Sequence, residues 1–180
     1  MPTLQPPDPF CALYTQNVEQ VYRYHLIRTG SRDAAEDLTA ETFFAALASF
    51  DRLRLDQPAL PWLFGIARHK LGDYQRRRFF KGLLRAQPLD VLENTPAPEA
   101  HPEEQVILHL DAARVAQALA AINRARAEAV ALHYYGGLTM EEIAQVMVKS
   151  EEAVKKLVQR GLADLRKKLT VDRAAEDHRK

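Results

Sequence analysis

Residues 138–160, LTMEEIAQVMVKSEEAVKKLVQR, read as two short helices separated by a tight turn. Thr139 is an N-cap residue, and Glu142 three positions on completes a T-x-x-E capping box. Leu138 and Ile143 stand where a hydrophobic staple fixes the entry of the chain. Ser150 is a fresh N-cap, and Glu151 and Glu152 follow in the first turn, where carboxylates meet the positive end of the helix dipole. The second helix, expected over residues 151–168, buries Val154, Leu157 or Val158, Leu162 and Leu165. It leaves Lys155, Lys156, Gln159 and Arg160 outside. A short capped helix, a turn and a longer helix with long polar side chains on its free face have the form of a helix-turn-helix that reads the DNA major groove. The same residues also describe an ordinary helical hairpin with a solvated charged face.

Working outward, the rest of the chain also favours helices. The 180 residues are 47% hydrophobic, with only 7 Gly, and the length suits one domain or two small ones. Residues 10–29 repeat Phe10, Leu13, Tyr14, Val21 and Tyr24 at helical spacing, with Gly30 as the stop. Asp33 is expected to open a second helix, with Glu36 in the capping-box position and Leu38, Phe43 or Phe44, Leu47 and Phe50 on its buried side. A third helix starts near Pro61, since proline is tolerated in a first turn. Leu63, Ala67, Leu71 and Tyr74 mark one of its faces; Trp62, Gly65, His69, Asp73 and Arg76 mark the next. From Ala86 to Pro102 periodicity fails among Pro88, Pro96, Pro98 and Pro102, the pattern of an extended linker. Helical spacing returns with Leu108, Ala112, Val115, Leu119 and Ile122, and a further helix spans roughly Arg124 to Tyr135. The fold class is all-α: two small helical domains, residues 1–85 and 105–170, joined by an acidic linker over 86–104, with a polar tail at 171–180.

The net charge of +1 averages over opposite blocks. Arg68, Lys70, Arg76, Arg77, Arg78, Lys81 and Arg85 face only Asp73, whereas Asp90 to Asp111 carries no Lys or Arg. A basic block followed by an acidic one points to an anion-binding surface and a separate segment with another task. Cys11 is alone, which leaves no disulfide framework. No signal pattern opens the chain and no apolar run reaches membrane-spanning length, so a soluble, intracellular (cytoplasmic) protein without membrane insertion is expected. The histidines are scattered without metal spacing and no phosphate-cradling glycine loop occurs. We therefore expect no enzyme activity, no metal and no cofactor.

Together these segments resemble the sigma-70 family of bacterial transcription initiation factors, in its compact extracytoplasmic-function group. DAAEDLTAETF over 33–43 resembles the core-polymerase-binding helix of region 2. PWLFGIAR over 61–68, followed by DYQRRR over 73–78, resembles the promoter-melting helix, and residues 134–160 resemble region 4. The order of the three is more specific than any one of them. The resemblance implies a protein that binds core RNA polymerase, through the β′ coiled coil and the β flap, and directs initiation at promoter DNA. It assigns core binding to Asp37, Leu38, Glu41 and Phe44. It assigns −10 recognition and melting to Trp62, Arg68, His69, Lys70, Arg76 and Arg77, where cations hold phosphates and rings stack on unpaired bases. It assigns −35 contacts to Ser150, Glu151, Lys155, Lys156, Gln159 and Arg160. It also implies that the linker acids Asp90, Glu93, Glu99, Glu103 and Glu104 thread toward the polymerase active site. An anti-sigma factor is common in the group, and no residue identifies one.

The chain departs from the family pattern at His69 (usually Asn), Asn123 (Pro), Val148 (Gly), Ala153 (Thr) and Leu157 (basic). At Val148 we expect a remodelled turn, with negative φ and the side chain packed against Val154 or Met147. The competing reading is a stand-alone helix-turn-helix regulator, which would need an effector pocket or dimerisation surface in its N-terminal half.

Overall fold

The computed structural model describes residues 8–53, 58–84 and 113–177, and every regular element among them is helical. α1 is Pro9–Thr29. The Asp8 carboxylate accepts from the Phe10 N–H, Pro9 fills the first helical position, and Gly30 ends the helix at φ 67°, a left-handed conformation that glycine adopts without steric cost. α2 is Arg32–Ser49 and starts one residue before the expected Asp33. Its cap is Ser31, whose hydroxyl accepts from the Ala34 N–H, while Glu36 pairs with Arg32 instead of closing a capping box. One 3-10 turn, Phe50–Arg52, follows. α3, Ala59–Leu84, carries Pro61 in its first turn. Residues 113–120 form α4, and α5 is Arg124–Tyr134, α6 Met140–Met147 and α7 Glu151–Asp177. The whole of the expected linker, 86–104 with its acids, lies outside the described residues, as do Leu108 and Ala112.

Most of the periodic residues land where their spacing puts them, although Tyr14 of the α1 stripe is exposed. Val21, Tyr24, Phe43, Leu63, Ala67 and Leu71 are buried between α1, α2 and α3, and Ala127, Leu132, Ile143, Val154, Val158 and Leu165 between α5, α6 and α7. Of the alternatives left open, Phe43 and Val158 are buried and Phe44 is exposed. Leu47, expected inside, is largely exposed. α5 and α7 approach closely because residue 161 is glycine. A Cβ there would lie 2.7 Å from Val130 Cγ2 and 3.1 Å from the Arg126 carbonyl oxygen.

The two halves share one continuous core. Phe64 is fully buried and meets Tyr24 edge to face at 5.6 Å, and a Cβ on Gly136 would come within 2.8 Å of its Cε1. Burial of a side chain of this size stabilises by roughly 1.5–3 kcal/mol. Phe64 therefore anchors α3 to the turn before α6.

Candidate nucleic-acid and protein interfaces

α2 presents an exposed acidic and apolar face. Asp37, Glu41 and Phe44 recur at i, i+4 and i+7, so they share one side of the helix. Phe44 is 73% exposed, with Leu47 open beside it. Leu38 belongs to the other side. It is 1% exposed, as its periodicity expects, which corrects the contact-face role that the resemblance assigns it: it supports that face from the core. Glu41 is already engaged, with Lys70 Nζ at 3.7 Å and Arg77 Nη2 at 4.0 Å. Asp37 is exposed with no ion pair among the described residues.

α3 carries the basic-aromatic face. His69 is exposed, its Nδ1 3.3 Å from Asp73 Oδ2, and Asp73 also pairs with Arg76. Trp62 is half-buried, its ring 6.4 Å from that of Phe50, and Phe50 meets Phe10 at 5.4 Å. Packing thus holds the indole, while the His69 ring remains accessible. Arg68 turns toward the second half, donating to the Val146 carbonyl at 3.4 Å.

Sequence reading missed the polar junction between the halves. Glu128 on α5 is buried. It accepts from the Tyr24 hydroxyl at 2.5 Å and from Arg28 Nη2 at 3.2 Å, and Arg68 Nε stands 3.9 Å away. Burial and the neighbouring Glu128 carboxylate push the Tyr24 phenol well above its ordinary range, so it stays protonated and donates. Removing Glu128 would leave Arg28 buried without its counter-charge, a loss of about 3–5 kcal/mol for a pair of this kind. Beside it opens a cleft of about 660 Å³ with Arg68, His69 and Arg76 on one wall and Arg124 and Lys149 on the other. The sequence signal was a lone Glu among the apolar residues of α5, and nothing local names partners a hundred positions away.

The helix-turn-helix forms as its caps dictate. Thr139 N–H donates to Glu142 Oε2 at 2.8 Å and Glu142 N–H to the Thr139 hydroxyl at 3.2 Å. Leu138 and Ile143, the staple residues, are both buried. The Ser150 hydroxyl accepts from the Ala153 N–H at 3.2 Å, so Ser150 acts as the cap of α7. Glu151, Lys155, Lys156, Gln159 and Arg160 make one exposed strip. Within it Lys155 pairs with Glu151 at 2.7 Å, and Lys156 with Glu152 at 2.6 Å. Asn123, in the place of the family's proline, caps α5 by accepting from the Ala125 and Arg126 N–H groups. Val148 overturns the remodelled-turn expectation. It sits at φ 53°, ψ 56° and is 88% exposed, because the turn requires a left-handed residue whose N–H reaches back to Ala144 and Gln145.

Comparison with known proteins agrees with this division. Residues 13–79 match the model for sigma-70 region 2 and residues 112–165 the model for sigma-70 region 4. The ECF RNA polymerase sigma factor BldN of Streptomyces coelicolor is 36% identical over 92% of this chain, which spans 62% of that protein's length. The RNA polymerase sigma factor CnrH of Cupriavidus metallidurans is 31% identical over 76% of this chain and 74% of its own. Among solved structures, the sigma factor RpoE of Bartonella quintana, in complex with the anti-sigma factor NepR, superposes with a TM-score of 0.68 at 21% identity, covering 91% of this chain and 98% of its own. Two matched regions in family order, on helices that carry a basic-aromatic face and a capped helix-turn-helix, show that the chain belongs to the extracytoplasmic-function group of sigma-70 RNA polymerase sigma factors.

Proposed function

We infer that this chain binds core RNA polymerase and directs it to promoters, with α7 reading the −35 duplex and α3 capturing melted −10 DNA. It acts by binding, with no catalysis of its own, and works in the cytoplasm alongside the polymerase. The observation that carries this reading is the α2 face, where exposed Phe44 and Leu47 lie beside the exposed carboxylate of Asp37, which has no ion pair among the described residues. A stand-alone DNA reader has no use for an acidic and apolar docking patch on the half that lacks its reading head. A basic surface on the polymerase, of the kind the β′ coiled coil offers the family, complements it in charge and apolarity. Glu41 contributes through its bridge to Lys70 and Arg77, which ties the polymerase-facing helix to the DNA-facing one. On α3, His69 is the accessible base-stacking ring, and Arg76 and Arg77 supply phosphate contacts. An anti-sigma protein is the class of regulator that fits this group. The reading is tested by Asp37→Lys combined with Phe44→Ala. Both positions are exposed, so the fold should survive by circular dichroism while affinity for purified core falls by about tenfold or more, as for a hot-spot pair. Unchanged affinity would remove the assignment of this face.

A further inference from the structure

Phe79 and Phe80, near the end of α3, keep 68% and 59% of their surface exposed. Their rings meet each other edge to face, centroids 6.0 Å apart and planes at 75°. Adjacent exposed phenylalanines need a reason that single scattered apolar residues do not, and the surroundings supply one. Arg76, Arg77, Arg78 and Lys81 flank them, all exposed, and no acidic residue occurs between positions 74 and 84. The charge is opposite in sign to that beside Phe44 on α2, so the two aromatic patches suit different partners. Arg76 pairs with Asp73 and Arg77 with Glu41, and Arg78 and Lys81 add further positive charge, so the setting around the open phenyl faces is net cationic. It matches a single nucleic-acid strand, whose phosphates take the cations and whose bases stack whatever their identity.

Helix geometry also lines the pair up with the rest of α3. From Trp62 to Phe80 is about five full turns, which puts Phe80 on the same line of the helix, with His69 and Arg76 within about 40° of it. His69 and Phe80 are about 16 Å apart along the axis at ~1.5 Å per residue, a reach of roughly five stacked nucleotides at ~3.4 Å each. We propose that Phe79 and Phe80 form a second stacking platform on α3, taking unpaired bases of the melted strand beyond those met at His69. The inference rests on the promoter-opening reading and extends it to residues that the family motif does not assign.

The test uses the full chain with core polymerase on a promoter carrying 2-aminopurine singly at each unpaired position of the non-template strand. Changing both residues to Leu keeps apolar surface and removes the aromatic faces; changing both to Trp keeps the faces. The Leu variant should lose the fluorescence signature of stacking at positions displaced from the His69 site, and its open complexes should decay about tenfold or more faster, at the lower end of what stacked bases contribute. The Trp variant should restore both, and affinity for core should be the same in all three proteins. Open complexes of the Leu variant that live as long as wild type would overturn the platform. A parallel loss of core affinity would overturn it too, by showing the pair to be a protein-docking surface. A wild-type holoenzyme that binds core yet opens no promoter would fail the reading beneath, a result distinct from a failure confined to the Leu variant.

Discussion

Val148 holds a left-handed backbone with its side chain in solvent, so no burial offsets the steric strain of a β-branched residue at positive φ. That strain is on the order of 1–2 kcal/mol, and glycine's extra unfolded-state entropy returns roughly 0.5–1 of it. Val148→Gly should therefore stabilise, by up to about 1 kcal/mol, in thermal or denaturant unfolding; clear destabilisation would show that the side chain makes contacts when folded. The sequence showed that a special residue stood here. It could not show which way the conflict resolved, because that depends on whether the turn or the side chain yields. His25 is a second residue-scale case. It is fully buried against Thr42, 3.2 Å from the hydroxyl, and burial lowers its pKa to about 3 from an ordinary value near ~6.5. Below ~6.5 the unfolded chain binds a proton that the folded one refuses. The stability of the neutral ring is thus complete above that pH and is lost toward about 3, at up to about 1.4 kcal/mol per pH unit. Urea unfolding at pH 7 and pH 4.5 should show a shallower acid loss for His25→Leu than for wild type. Equal losses would place the acid sensitivity elsewhere.

At the scale of elements, most boundaries were legible because caps and stops are local chemistry. Gly30, Pro61, the Thr139–Glu142 box and Ser150 each act on backbone groups within four residues of themselves. The start of α2 was misplaced because Ser31 and Asp33 are both credible caps, and only the folded chain shows Ser31 accepting from Ala34. Periodicity placed the buried stripes, Leu38 included, where the resemblance had assigned that residue to the contact face; it failed to put Leu47 outside, since which side of α2 is covered depends on α1 and α3. The α7 strip yields a prediction at this scale. Lys155 and Lys156 are each held by a glutamate one turn back, and such exposed pairs contribute only about 0.2–1 kcal/mol, so DNA phosphates can replace them. Alanine at Lys155, Lys156 and Arg160 in turn, measured on a randomised −35 library at two salt concentrations, separates phosphate from base contacts. Loss of a phosphate contact weakens all sequences and flattens the salt slope by about one, whereas loss of a base contact relaxes preference at one position. Three variants that match wild type at both salts would mean that α7 does not enter the groove along this strip.

For the whole molecule, the division into a region 2 half and a region 4 half was readable from motif order, and the junction between them was not. Glu128 meets Tyr24 and Arg28 across a hundred residues or more, and Phe64 fits against a turn that only folding brings near. No spacing rule reaches that far. The junction draws Arg68 toward the second half, so the basic-aromatic face of α3 and the reading head are parts of one packed body. We infer that this body acts through the polymerase. The most direct test is run-off transcription on genomic DNA with purified core polymerase free of other sigma factors, with the start sites mapped. Adding the protein should create new starts, each preceded by the same pair of sequence elements, and the protein alone should bind those duplexes weakly. Tight, specific duplex binding by the protein alone, with no new starts when core is present, would contradict action through the polymerase.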